Sequence, residues 1–270
     1  MKSYKDKVVF ITGGAHGIGL SLARMYHRKS AKVVVVDINE ENLAKLEQDL
    51  PGLLGRVCDI TNREAVYEMA REVREQVGDP ALVINNAGVV ENSDFLNCSD
   101  ESLERTMNVN IVSHFWVLKA FLPSMLEKGE GHVCEIASAA GLMGVPGMVA
   151  YCASKHAVIG FGRALKQEVD RLSGGKVKFT IVCPSFISTG MFEGVKPARL
   201  TPMLGQEEIA KIIFDSIDRE KTMVLEPFMV KLLPSLIAML PTSVFEFVSK
   251  IFGVDQAMVD INTREGQGRE

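Results

Sequence analysis

Cysteine is scarce in this chain, and what there is lies scattered. Cys58, Cys98, Cys134, Cys152 and Cys183 are odd in number and far apart. Such spacing offers neither a disulfide framework nor a metal-ligand set, so free thiols in a reducing compartment and no bound metal are expected. Charge of one sign is missing too. Thirty basic residues face 34 acidic ones, for a formal charge of -4, and no dense Lys/Arg block occurs. Nucleic-acid binding therefore has little support. No internal repeat or low-complexity tract is visible, which argues against a solenoid or a linker-rich chain. The first six residues are polar and run directly into a strand, without the pattern of a signal peptide. The C-terminal uncharged run, Leu232 to Phe245, has 14 residues broken by Pro234 and Pro241. That is too short for an ordinary transmembrane helix.

What the chain does have is 47% hydrophobic residues over 270 positions, enough for one large core. Apolar strands are expected at Val8 to Thr12, Lys32 to Val36, Gly55 to Cys58, Ala81 to Ile84, His132 to Ala137, Val177 to Val182 and Met223 to Leu225. Between them lie helical patterns at Ile18 to Arg28, Glu40 to Leu50, Asn62 to Val77, Ser99 to Glu127, Met148 to Leu172 and Glu207 to Arg219. Most of these strands are apolar without polar alternation, so the sheet is parallel and covered on both faces. Right-handed crossovers then give an α/β, Rossmann-type, doubly wound domain with seven parallel strands. No Pro/Gly-rich linker divides it, so residues 1–270 are expected to form one domain, with 227–253 an apolar helical extension.

One short stretch carries the most chemistry. Tyr151-Cys152-Ala153-Ser154-Lys155 places a phenol and an ammonium four residues apart, on one helical face. A phenol near pKa 10 is a poor base at neutral pH, and a neighbouring cation lowers its pKa. Such a pair can exchange a proton with an alcohol or a carbonyl. Its redox partner is suggested at the other end of the chain. Thr12-Gly13-Gly14-Ala15-His16-Gly17-Ile18-Gly19 follows a strand and opens a helix, with Gly13, Gly17 and Gly19 spaced for close approach of backbone to a pyrophosphate. Asp37 lies 18 residues beyond Gly19, at the end of the second strand. A carboxylate there accepts both adenosine ribose hydroxyls and repels a 2′-phosphate, which favours NAD over NADP; it can alternatively cap the helix near Glu40. Asp59 sits where a carboxylate meets an adenine amino group or caps the following helix. His16 has a surface or packing role as its plainer reading. In Asn85-Asn86-Ala87-Gly88 small residues let a cofactor cross the sheet edge, and the asparagines can tie loop backbone together. Ser138 follows the fifth strand, either as a hydrogen-bond donor to a substrate oxygen or as a turn cap. Asn110 stands mid-helix, a costly place for asparagine, and either faces solvent or holds a water near Lys155.

Taken together and in order, the glycine turn, Asn85 to Gly88, Asn110, Ser138 and Tyr151/Lys155 resemble the short-chain dehydrogenase/reductase family over residues 5 to 225. The resemblance implies an alcohol/carbonyl oxidoreductase. In it Ser138 orients the substrate oxygen and Tyr151 is the general acid/base. Lys155 binds the nicotinamide ribose and lowers the tyrosine pKa, while Asn110 supports a water relay. It implies a cofactor surface of Gly13, His16, Gly17, Ile18, Gly19, Asp37, Asp59, Ile60, Asn86, Ala87, Gly88, Tyr151, Lys155, Pro184, Ile187 and Thr189. Pro184-Ser185 departs from the Pro-Gly of many relatives.

His114-Phe115-Trp116, Ala137 to Pro146, Tyr151 to Phe161 and Thr189 to Phe192 resemble more closely the retinol dehydrogenase and lipid-droplet 17-beta-hydroxysteroid dehydrogenase branch. That resemblance implies an apolar alcohol or ketone/aldehyde as substrate, a retinoid or hydroxysteroid. It also implies a homo-oligomer and a place at the endoplasmic reticulum or lipid-droplet surface. Local composition agrees: Leu142, Met143, Val145, Pro146, Met148, Val149, Met191 and Phe192 can line an apolar pocket or pack in the core. In the extension, Met229, Leu232, Leu233, Leu236, Ile237 and Leu240, then Val244, Phe247, Val248, Ile251 and Phe252, recur at helical spacing. Two short amphipathic helices are expected there, covering the substrate entrance, resting on a membrane or joining a dimer; buried, they would leave the protein cytoplasmic. The lipid enzymes of that branch commonly carry an N-terminal hydrophobic anchor, for which Met1-Lys2-Ser3 leaves almost no room.

Overall fold

The sheet forms where the sequence is most uniformly apolar. The computed structural model describes residues 3–188 and 203–253. Its strands are β1 (Val8–Thr12), β2 (Lys32–Asp37), β3 (Leu54–Val57), β4 (Leu82–Asn85), β5 (Gly131–Ile136), β6 (Val177–Pro184), the two-residue β7 (Ile187–Ser188) and β8 (Leu204–Gly205), and β9 (Met223–Glu226). Seven of them make one parallel sheet in the order β3-β2-β1-β4-β5-β6-β9, the expected doubly wound arrangement. The order reverses between β1 and β4. Their carboxyl ends therefore diverge into a crevice, the place where open α/β sheets bind ligands. The small β7·β8 pair lies apart from this sheet.

Helices cover both faces, which is why the central strands carry no polar alternation. Against one face lie α1 (Gly17–Arg28) and α7 (Gln206–Asp218), burying Leu22, Tyr26, Ile209 and Ile213 against Ile11, Ile84 and Cys134. Against the other lie α3 (Arg63–Val77), α5 (Ser113–Lys128) and α6 (Val149–Ser173), with Val66, Phe121, Val158 and Ile159 on Phe10, Val83 and Val133. Each fully buried side chain of this size removes about 1.5–3 kcal/mol worth of apolar surface from water. Both cores meet at the sheet and fix the strand ends that carry the site.

Two expectations change here. The segment Ser99 to Glu127, read as one regular helix, is α4 (Asp100–Met107), a π-helical turn at Asn108–Val112, and α5. The extra residue of a π turn lets the Asn110 side chain leave the helix and bond elsewhere. Nor do Asp37 and Asp59 cap helices. Asn39 caps α2 (Glu40–Asp49) by accepting from the Asn42 amide, and Asn62 caps α3 through the Ala65 amide. Helix Asp100–Lys128 is by length and composition apolar enough to cross a membrane, but its buried side chains belong to the core against the sheet. The extension forms α8 (Phe228–Met239) and α9 (Thr242–Ile251), as the apolar spacing predicts.

Candidate active site

At the carboxyl end of β1 the chain turns tightly. Gly13 has φ +61° and its amide donates to the Val36 carbonyl at 2.7 Å, while Gly17 has φ +57° at the start of α1. A β-carbon on Gly19 would lie 2.4 Å from the Gly13 oxygen and 2.6 Å from Asn86 Nδ2. Neither contact is possible, so the turn requires glycine there. Ile18 is half-buried against the same core as α1. Gly19→Ala is expected to destabilise the fold by about 1–3 kcal/mol through overpacking and to weaken NADH binding, checked by thermal unfolding and fluorescence titration; unchanged binding would show that the turn tolerates the methyl.

Asn86 ties this turn to β4. Its Nδ2 donates to the carbonyls of Thr12 and Gly13 at 3.0 and 2.9 Å, and the amides of Asn86 and Ala87 both donate to Thr12 Oγ1 at 3.1 Å. Thr12 thus pins two loops with one hydroxyl, a part the sequence reading did not give it. Asp37 is buried at the end of β2, and its Oδ2 accepts from the Ala15 amide and its Oδ1 from the Asn39 amide, each at 3.1 Å. Burial alone would raise its pKa. The hydrogen bonds from His16 and from the two amides outweigh that and hold it below the ordinary carboxylate range. His16, mostly exposed, brings Nδ1 to 3.4 Å from Asp37 Oδ2, and this contact raises the imidazole pKa. Asp59 is exposed after β3 and its Oδ1 accepts from the Thr61 amide and hydroxyl, while the neighbouring Ile60 is buried.

Across the crevice the second group of residues converges. Ser138 is buried; its Oγ accepts from the Ala140 amide at 3.1 Å, as a turn cap does, and donates to the Pro184 carbonyl at 3.4 Å. The Tyr151 phenol also hydrogen-bonds to Ser138. Tyr151 and Lys155 share a face of α6, with the Lys155 Nζ 5.7 Å from the phenol ring centroid and donating to the Ile136 carbonyl at 2.9 Å. Asn110 is fully buried. It grips Val89 by both main-chain groups (Val89 N to Oδ1 at 2.8 Å, Nδ2 to Val89 O at 2.9 Å) and donates to Ser154 Oγ at 3.0 Å. Gly88 sits at the junction: a β-carbon there would meet Asn110 Oδ1 at 3.4 Å and Lys155 Nζ at 3.5 Å. The π turn, the β4 loop and α6 therefore meet at one point. Ile187 is buried in β7, and Thr189 lies outside the described residues.

The electrostatics differ from the expectation of a cation-lowered phenol. Burial pushes the Tyr151 phenol up to about 12, and the hydrogen bond with Ser138 pulls against it. Burial pulls the Lys155 ammonium down to about 8, while Glu135 opposes the fall. In the protein by itself desolvation wins at both groups. Neutral Tyr151 beside a still largely protonated Lys155 is a poised proton donor.

Beside Ser138 and Tyr151 opens an apolar cleft of about 960 Å³, counted out to open solvent. Met143, Val145 and Met148 line it, as expected. Leu142 instead packs against the core, and Pro146 and Val149 are exposed; Met191 and Phe192 lie outside the described residues. Its other wall is Phe186, then Met229, Val230, Leu233 and Leu236 of α8, and Phe245, Val248 and Phe252 at α9, the helices for which a cover over the substrate entrance is one of the three readings. The C-terminal helices thus form one wall of the cleft beside the tyrosine.

Residues 7–200 match the family model described as short chain dehydrogenase. The chain belongs to the short-chain dehydrogenase family. It is an NAD(P)-dependent oxidoreductase of that family. Short-chain dehydrogenase/reductase family 16C member 6 of Bos taurus is 39% identical over 99% of this chain and 87% of its own length. Estradiol 17-beta-dehydrogenase 11 of Homo sapiens is 38% identical over 89% and 81%. Epidermal retinol dehydrogenase 2 of Mus musculus is 38% identical over 94% and 84%. The retinol and 17-beta-hydroxysteroid dehydrogenase branch read from the sequence is thus where its relatives stand. Among solved structures, a short-chain dehydrogenase/reductase from Burkholderia phymatum in complex with NAD superposes with TM-score 0.77 at 27% identity, covering 88% of this chain and 92% of that one. A short-chain dehydrogenase from Burkholderia cenocepacia in complex with NADP shares the fold, with TM-score 0.76 at 24% identity, 88% of this chain and 94% of that one.

Proposed function

We propose that this protein interconverts a hydroxyl and a carbonyl on an apolar, lipid-type substrate with NAD, through Tyr151 and Lys155. The observation that carries the reading is the apolar cleft ending at Ser138 and Tyr151, the two polar groups placed to meet one substrate oxygen. The dinucleotide fits the residues present. The Gly13–Gly19 turn has no room for a β-carbon at Gly19, and Asp37 presents a buried carboxylate at the end of β2. Gly13, His16, Gly17, Ile18 and Gly19 would hold its phosphates, Asp37 its adenosine ribose, and Asp59 and Ile60 its adenine. Asn86, Ala87, Gly88, Lys155, Pro184, Ile187 and Thr189 would hold the nicotinamide half. When bound, the nicotinamide supplies the hydride acceptor or donor.

The chain's own residues do the proton work. Ser138 donates to the substrate oxygen and orients it. Tyr151 gives its proton to that oxygen in reduction and takes it back in oxidation. Lys155 holds positive charge beside the phenol and favours the phenolate in the oxidising direction. Asn110, by gripping Val89 and Ser154, holds the β4 loop against α6 where Lys155 emerges.

The relatives named for estradiol and retinol suggest the chemistry of the alcohol. The outer faces of α8 and α9 suggest where it comes from. Phe228, Met239, Phe247 and Ile251 are more than half exposed on the two helices whose inner faces line the cleft. Contact with a membrane or lipid-droplet surface there would open the cleft to a dissolved lipid alcohol. Self-association through α5 and α6 belongs to the same reading. The test is a panel of retinol, 3- and 17-hydroxysteroids, fatty alcohols and small alcohols with NAD. Turnover is expected on the apolar members, and activity confined to small polar alcohols would overturn the lipid reading.

A further inference from the structure

A carboxylate stands in the middle of the sheet, where the chain is otherwise apolar. Glu135 of β5 is wholly buried between Val133 and Ala137, on the face covered by α5 and α6. An ionised carboxylate in such a place is costly unless it is hydrogen-bonded and faces positive charge. The hydrogen bonds are in place. Its Oε1 accepts from Asn85 Nδ2 at 2.9 Å across the β4·β5 pair, and its Oε2 is hydrogen-bonded to His114 Nδ1 at the start of α5. Asn85 and His114 are themselves buried. His114 Nε2 has no hydrogen-bond partner among the described residues. With the imidazole proton on Nδ1, donated to Glu135, no buried N–H is left without an acceptor; the opposite tautomer, or an imidazolium, would strand one. The negative charge therefore rests on Glu135.

Lys155 reaches the same strand from α6. The Lys155 Nζ bonds to the carbonyl of Ile136, the residue next to Glu135, and the Glu135 charge acts on it favourably. Among the described residues, three further groups near Lys155 bring no competing charge near neutral pH. Tyr151 on α6 is a neutral phenol, and burial pushes the Cys183 thiol of β6 up to about 12. Asn110 of the π turn is uncharged. Cys134, next to Glu135, is a deeply buried thiol whose pKa burial also raises.

We propose that Glu135 is a positioning residue for the proton-transfer pair: its buried carboxylate, oriented by Asn85 and His114, holds Lys155 in the ammonium form. This rests on the reading of Tyr151 and Lys155 as the acid/base pair. Asn85, Glu135 and His114 then form a polar wedge behind the site, and it acts through charge rather than through contact with substrate.

The experiment is a titration of Lys155 in the full chain labelled with [ε-¹³C]lysine, its resonance assigned by its loss in Lys155→Met. Glu135→Gln removes the charge and keeps an oxygen for Asn85; its amide reaches His114 Nδ1 only in the tautomer that leaves the Nε2–H without an acceptor, a cost that falls on stability. The variant is expected to lower the Lys155 midpoint by about one unit or more, a roughly ten-fold smaller ammonium-to-amine ratio at fixed pH. The pH profile of kcat/KM should move with it, while KM for the substrate holds. Glu135→Met, similar in length and apolar, must lower the same midpoint, and it decides the matter if the glutamine variant does not fold. His114→Asn keeps an N–H toward Glu135 and is expected to leave the midpoint in place. An unchanged midpoint in the Glu135 variants, or an equal shift in His114→Asn, would overturn the proposal. Loss of the acid/base reading itself would appear elsewhere, as turnover surviving in Tyr151→Phe while the Lys155 midpoint still follows Glu135.

Discussion

Tyr151→Phe is expected to lower kcat/KM for alcohol oxidation by roughly two to four orders of magnitude, the usual span of a lost general acid/base, while NADH still binds. The substitution removes one oxygen from a buried ring and leaves the ring's packing in place. The turn and Asp37 that would hold the dinucleotide are untouched. The pH dependence supplies the sharper sign. The Tyr151 phenol stands near 12 in the protein alone, and Lys155 near 8. Oxidation needs the phenolate, so its rate should rise with pH while Lys155 stays charged. Reduction needs the neutral phenol and should fall or stay level over the same range. In Tyr151→Phe the rising limb should vanish. Turnover equal to that of the unaltered protein would remove Tyr151 from the mechanism.

The parts of this molecule that were legible in the sequence are those that follow from local pattern. Val33 to Val36 and Val8 to Thr12 read as strands because both sides of the sheet are covered, and uninterrupted apolar runs follow from that. Tyr151 and Lys155 read as a pair because four residues make one helical turn. What escaped depends on partners far along the chain. Asn110 was visible as an anomaly in a helix, but its resolution through a π turn requires Val89 and Ser154, 21 and 44 residues away. Glu135 looked like an ordinary member of an apolar strand, since Asn85 and His114 reach it only in the folded sheet. The pairs Ile187–Leu204 and Ser188–Gly205 that form β7 and β8 are too short to leave a periodic signal. The α8 and α9 spacing was plain, yet only the fold turns Leu233, Leu236 and Phe252 toward Tyr151. Asp37 was placed correctly at a strand end, but that Asn39 rather than Asp37 caps α2 follows only from the folded chain.

Freed of capping α2, Asp37 carries the prediction about cofactor choice. Asp37→Asn is expected to raise affinity for NADPH relative to NADH by about 10–100-fold, or roughly 1.4–2.8 kcal/mol. Asparagine preserves the shape and one oxygen for the Ala15 or Asn39 amide, but removes the charge that opposes a 2′-phosphate. The carboxylate is well suited to that opposition: its hydrogen bonds hold it ionised across the neutral range, and burial limits screening by salt. His16 adds a pH term. Its imidazole lies 3.4 Å from Asp37 and titrates above the ordinary histidine value because of it. As pH falls through that titration, the new positive charge offsets Asp37, and discrimination against NADPH should weaken in the unaltered protein. In Asp37→Asn the histidine loses its anionic partner, so its titration should return downward and the NADPH-to-NADH ratio should start higher. Fluorescence titrations of both reduced cofactors at several pH values measure these effects together. Tighter NADPH than NADH binding in the unaltered protein would reject Asp37 as the determinant. A ratio unmoved by Asp37→Asn would do the same.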